Sequence, residues 1–132
     1  QETLRELFTR RRLGQVIDFD RVFVETTGLA DPAPVLQTLA TDTLLSDHYR
    51  LDCVATLVDA VNGMMQLDTQ PEAVKQAAVA DRLLLTKTDL ADAAAVAALQ
   101  ERLRALNPHA EFMTVTHGVV DPAALTDVGL RN

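Results

Sequence analysis

The stretch Arg82-Leu83-Leu84-Leu85-Thr86-Lys87-Thr88-Asp89 decides how the rest of the chain is read. A short, bounded apolar run without alternation marks a strand buried on both faces, the kind found in parallel sheets. It turns polar abruptly at Thr86. Toward the C-terminus, Val96, Leu99, Leu103 and Leu106 repeat at helical spacing and predict a helix over about 93–106, stopped by Asn107-Pro108. Glu111 to Thr116 then reads as a strand, and His117-Gly118 as its turn. Asp121-Pro122 opens another helix, because Asp accepts hydrogen bonds from free backbone N–H groups and Pro suits a first helical position.

Toward the N-terminus, Pro71 starts a helix reaching about Ala80, and Ala60 to Leu67 is a short helix or turn. Cys53 to Val58 is a nearly continuous apolar run ending at Asp59, read as a buried strand. Thr41 to Arg50 is a polar connection. Asp31-Pro32 opens a helix whose apolar face is Val35, Leu36 and Leu39. Arg21 to Glu25 reads as a short strand, with Thr26-Thr27-Gly28 as its turn. Thr3 to Arg12 is helical, with Leu4, Leu7 and Phe8 on one side and Gly14 as its stop. This alternation predicts an α/β fold, a parallel sheet with flanking helices.

Composition narrows the function. With 19 acidic against 12 basic residues, a net charge of −7 argues against nucleic-acid binding, which needs a basic footprint. The one basic cluster, Arg10 to Arg12 beside Arg5, reads as a solvated helix end. Aromatic residues are only 4% of the chain, so aliphatic side chains must build the core. Cys53 is the single cysteine, which excludes an internal disulfide. No apolar run approaches the roughly 20 residues that span a bilayer, so no membrane partner is expected, and a cytoplasmic location is the default.

In open α/β sheets, ligands bind beyond the carboxyl ends of the strands. The predicted strands end in Glu25-Thr26-Thr27-Gly28, in Asp59, in Thr86-Lys87-Thr88-Asp89 and in Thr116-His117-Gly118. A carboxylate such as Asp89 can accept two parallel hydrogen bonds from the N1–H and exocyclic amine of guanine. Adenine offers no such pair. The Lys87 stem can lie along the base plane. Against this stands a plainer reading, in which Asp89 caps a helix. Glu25, after a strand and before a tight turn, can hold Mg²⁺ through its water shell or orient an attacking water. Gly28 would let backbone approach a phosphate closely. An ordinary strand-to-helix turn would look the same. His48 and His109 fall in loops with no ligand spacing around them, Cys53 begins a buried strand as a small core residue, and His117 lies at the active edge; none is read as a metal ligand.

Taken together, these segments resemble the CobW family of P-loop GTPases, related to the nickel-insertion proteins UreG and HypB. Val22-Phe23-Val24-Glu25-Thr26-Thr27-Gly28-Leu29-Ala30-Asp31-Pro32 is similar to the family's acidic ExxG motif and its continuation. Leu57-Val58-Asp59-Ala60 resembles its next strand end, and Leu83 to Leu90 its guanine-specificity motif. Asn107-Pro108 and the Thr116-His117-Gly118 turn follow in the expected order.

The resemblance implies a partial P-loop NTPase domain of three-layer α/β/α type. Glu25 and Gly28 would stand on the Mg²⁺ and γ-phosphate side, Lys87 and Asp89 would read guanine, and Thr116 to Gly118 would close over the base. Asp59, at the same edge, is at most a weak metal candidate. The implied cofactors are GTP and Mg²⁺. The implied activity is that of a GTP-hydrolysing metallochaperone serving transition-metal homeostasis or cobalamin biosynthesis, with a metal-receiving client protein. A nucleotide-free interaction module is the alternative.

The sequence departs from the family in three ways. Thr86 stands where the guanine motif usually has Asn. No Gly-rich loop ending in Gly-Lys-Ser/Thr is present, although that loop cradles phosphates with backbone N–H groups. The CxCC segment for zinc or cobalt is absent too. Both missing motifs normally precede the part of the family seen here. Residues 1–132 are therefore expected to be the C-terminal part of a CobW-type GTP-binding domain, weak or inactive toward GTP by itself. An unpaired sheet edge would then favour self-association.

Overall fold

The computed structural model describes residues 2–28 and 30–126. The chain divides into two compact units, Gln1–Arg50 and Leu51–Asn132.

The first unit is helical. Helix α1 (Glu2–Arg12) carries Arg10, Arg11 and Arg12 in its last turn, where the helix dipole favours positive charge. Helix α2 spans Ala33–Thr41, and Asp31 accepts the Ala33 N–H at 2.9 Å, as the Asp-Pro signal predicts. The polar stretch expected to connect α2 to the next strand contains a further helix, α3 (Thr43–His48). Asp42 caps it by accepting the Leu45 N–H at 3.1 Å and pairs with the Arg5 guanidinium. Leu45 is fully buried, the Tyr49 hydroxyl donates to the Leu4 carbonyl at 2.9 Å, and the Phe8 ring stacks on His48. Partners on α1 thus turn a polar sequence into a helix.

The strand expected at Arg21–Glu25 does not form: these residues belong to no ladder, and Val22, Phe23 and Val24 are all exposed. Residue type favours extended backbone there. A strand also needs a paired neighbour and cover for its side chains, and among the described residues no strand pairs with Val22 to Val24, whose side chains are exposed.

The second unit is built on three parallel strands in the order β1 (Ala55–Asp59), β2 (Arg82–Thr86), β3 (Glu111–Val115), flanked by helices α4 (Gly63–Thr69), α5 (Pro71–Ala78) and α6 (Ala93–Leu106). The leucine run lies at the centre. Leu83, Leu84 and Leu85 are buried and the strand is paired on both sides, as its unbroken hydrophobicity predicts. In register, Val58 pairs with Leu85 and Leu85 with Thr114, while Asp59 pairs with Thr86 and Thr86 with Val115.

Val58, Leu83 and Leu85 form one core with Leu67, Ala77, Ala80, Leu99 and Leu103. Gly63 opens α4 where space is short: a Cβ there would meet Leu99 Cδ2 and Val58 Cγ1 at 3.0 Å. Strand β1 begins at Ala55, two residues later than the apolar run suggests. The preceding backbone is taken by Asp81 instead, with Val54 N–H donating to its carboxylate at 2.7 Å and Asp81 N–H donating to Val54 O at 2.8 Å.

Asn107 does more than end α6. It is buried, and its Nδ2 donates to Ala77 O at 3.0 Å and to Ala80 O at 2.7 Å. It thereby ties the last turn of α5 and the residue before Asp81 to the end of α6, adding to the backbone bond that Ala77 O accepts from Ala80 N–H at 3.5 Å. At the far end of the described chain, Asp121 caps a 3₁₀ turn (Pro122–Leu125), a shorter element than the helix its Asp-Pro signal suggests.

Candidate functional site

Parallel pairing in register brings the carboxyl ends of β1, β2 and β3 to one edge. The ends of β1 and β2 are joined three times. Ala60 N–H donates to Thr86 O at 2.9 Å, the Thr86 hydroxyl approaches Val58 O at 3.5 Å, and Lys87 Nζ reaches Asp59 Oδ2 at 3.0 Å. The Thr86 hydroxyl that replaces the expected amide is thus turned to its neighbouring strand.

Lys87 adopts left-handed backbone, φ 58° and ψ 29°, which costs a non-glycine residue on the order of 1–3 kcal/mol. That twist ends β2 and starts the 3₁₀ turn Thr88–Leu90, closed by Leu90 N–H donating to Lys87 O at 3.0 Å. Asp89 lies in the turn with its side chain exposed. The plainer reading, a helix cap, does not describe it: α6 begins four residues later, with Asp92 at its cap position.

At the end of β3, Thr116 and Val119 form an isolated bridge around His117 (φ 53°) and Gly118 (φ 74°). Two successive left-handed residues make the tight turn, and Gly118 supplies one of them without steric cost.

Asp59 is the most connected side chain at this edge. One oxygen accepts the N–H groups of Val61 (2.8 Å) and Asn62 (3.3 Å). The other accepts Asn62 Nδ2 (3.1 Å) and the Lys87 ammonium. Partial burial pushes its carboxyl upward, but the bonds from Lys87, Asn62 and the two backbone groups outweigh that and hold it below the ordinary carboxylate value. Sequence reasoning placed Asp59 at this edge without a firm role. Its partner Lys87 was not legible there, because it is the register, with Asp59 opposite Thr86, that brings the next residue within reach.

Glu25 and Gly28 belong to the first unit. Both are exposed, and a Cβ at Gly28 would have no other atom within 4 Å. Among the described residues, no three His, Cys, Asp or Glu side chains group as a metal site. Cys53 lies just before β1, where burial and then the Asp81 charge push its thiol upward, away from the thiolate a metal needs. His48 ends α3 rather than standing in a loop, and it stacks on Phe8. No helix among the described residues is long and apolar enough to cross a membrane.

Residues 1–114 match the family model described as CobW/HypB/UreG, nucleotide-binding domain. The chain is 47% identical over 105 residues to the zinc chaperone YjiA of Escherichia coli K12, covering 80% of this chain and 32% of that protein. It is 33% identical over 104 residues to zinc-regulated GTPase metalloprotein activator 1 of Schizosaccharomyces pombe, covering 78% of this chain and 25% of that one. The crystal structure of Zn(II)-bound YjiA GTPase from E. coli superposes with a TM-score of 0.86 at 41% identity, over 95% of this chain and 38% of that one. The chain thus spans about a third or less of the length of these two curated relatives.

Proposed function

The chain belongs to the CobW/HypB/UreG nucleotide-binding domain family, and from that premise we propose that its second unit reads the guanine base of GTP. The wider role we propose is that of a GTP-hydrolysing metallochaperone that hands a transition metal, zinc or cobalt, to a client protein. The observation that carries the reading is the loop after β2: Asp89 presents an exposed carboxylate two residues beyond a lysine fixed in left-handed backbone. Two carboxylate oxygens match the paired N1–H and amine donors of guanine. The Lys87 stem supplies an apolar surface for the ring, and the Thr116–Val119 turn at the neighbouring strand end would close over it.

Glu25 and Gly28 are proposed for the Mg²⁺ and γ-phosphate side of the reaction. Mg²⁺ takes most of its ligands from water and phosphate, so a single protein carboxylate acting through water is compatible with it. Zinc, rather than cobalt, is favoured as cargo by the relatives, two of which are named for zinc. Because the names also include a GTPase, the interaction-module alternative is not favoured. The proposed partners are the guanine nucleotide and the metal-receiving client. Among the described residues β1 is paired on one side only, which leaves self-association through that edge open to measurement by light scattering.

The test is a comparison of GDP and ADP by NMR titration of the chain. GDP is expected to shift the amides of Thr86–Leu90 and Thr116–Gly118, and ADP to leave them in place. Asp89→Ala should weaken GDP at least about tenfold, the effect of losing hydrogen bonds to a charged group. Equal responses to both nucleotides would refute the reading. Phosphate affinity comes largely from a Gly-rich loop that the sequence does not contain, so no steady GTP turnover by the chain is expected.

A further inference from the structure

We infer that Asp59 is a positioning residue for guanine recognition, holding the Lys87 ammonium so that the lysine stem stands ready beside Asp89. The inference rests on the guanine reading and adds a residue to it. The Asp59 carboxylate is fixed by donors of its own loop, Val61 N–H, Asn62 N–H and Asn62 Nδ2, independently of Lys87. It is therefore a preorganised anchor, and its side chain is only 17% exposed against 54% for Lys87. A lysine has a long stem with many rotamers, and a stem meant to lie flat along a base loses that freedom on binding. Anchoring the ammonium in the unliganded protein removes part of the cost in advance.

The backbone acts in the same direction. Left-handed Lys87 and the Ala60–Thr86 hydrogen bond fix where the stem begins, and Asp59 fixes where it ends. Surface ion pairs as a class contribute little to stability, so the effect to look for lies in nucleotide affinity rather than in melting temperature.

Asp59→Asn is the informative variant, since asparagine keeps an acceptor for Val61 and Asn62 while losing the charge that holds Lys87. Removing a carboxylate should by itself favour an anionic nucleotide, so a loss of affinity runs against the bulk electrostatic trend. GDP titrations followed by NMR would compare the native chain, Asp59→Asn, Lys87→Ala, the double variant and Asp89→Ala. The expected result is a loss of about fivefold or more in Asp59→Asn, with no further loss when Lys87→Ala is already present. Additive losses would show that Asp59 acts on its own loop and not through Lys87, which overturns the inference. Unchanged affinity in Asp59→Asn, while Asp89→Ala still weakens GDP, overturns it and leaves the guanine reading standing. Indifference of GDP binding to Asp89→Ala would bring down the guanine reading and the inference with it.

Discussion

Val22-Phe23-Val24-Glu25 and Leu83-Leu84-Leu85-Thr86 are both apolar runs that lead into chemistry-bearing loops, yet only the second is a strand. Leu83 and Leu85 are fully buried and their strand has a parallel neighbour on each side. Phe23 is 74% exposed and its backbone joins no ladder. Residue preference does not account for this, since Val22, Phe23 and Val24 are stronger strand formers than three leucines. Where side chains and backbone groups find partners, a loop at the end of the run is held to a fixed shape, as Thr86 to Asp89 are. Where the apolar side chains lie exposed and no ladder forms, as at Val22 to Val24, the run itself does not fix the loop that follows.

The largest effect should come from truncating the paired strand. Leu83→Ala is expected to destabilise the fold by about 2–5 kcal/mol, and Phe23→Ala by less than about 0.5 kcal/mol. Thermal or urea unfolding of the two variants measures both, and comparable losses would break the contrast. Next comes the buried amide: Asn107→Ala removes the side-chain donor to the carbonyls of Ala77 and Ala80 and should cost about 1–3 kcal/mol. Gly63→Ala forces a methyl group against Leu99 and Val58, and should also cost about 1–3 kcal/mol unless α4 shifts away. A melting temperature equal to the native value would show that the layer between α4 and α6 is looser than the 3.0 Å approaches to Leu99 and Val58 imply.

How far the sequence could be read follows from the same contrast. The leucine strand and α6 were legible to the residue because local pattern and tertiary setting agree there. Helix α3 was not, because what makes it a helix is the Arg5–Asp42 pair and the Tyr49–Leu4 bond, made with residues roughly 40 positions away. The strand at 21–25 was overread, since extended-backbone preference says nothing about whether a neighbour exists. At the site, Lys87 and Asp89 were visible as a motif. The contact between Lys87 and Asp59 depends on strand register, which no local pattern encodes.

The smallest expected effect is on proton binding. The Asp59 carboxyl is held below its ordinary value of 3.8, so the stabilisation it brings is complete above that pH and fades as pH falls through the lowered folded-state value. Lys87→Met should move the Asp59 carboxyl titration upward, read from its carbon chemical shift. An unmoved midpoint would mean that the loop donors of Val61 and Asn62 account for the whole depression.

The central claim, that the loop after β2 reads a guanine edge, is most directly tested by Asp89→Asn. Asparagine exchanges one acceptor for a donor, which suits the carbonyl that xanthine carries in place of the guanine amine. The account predicts that the native chain prefers GDP over XDP and that Asp89→Asn reverses the order. A variant that keeps the native preference, or a native chain with no preference, would contradict it.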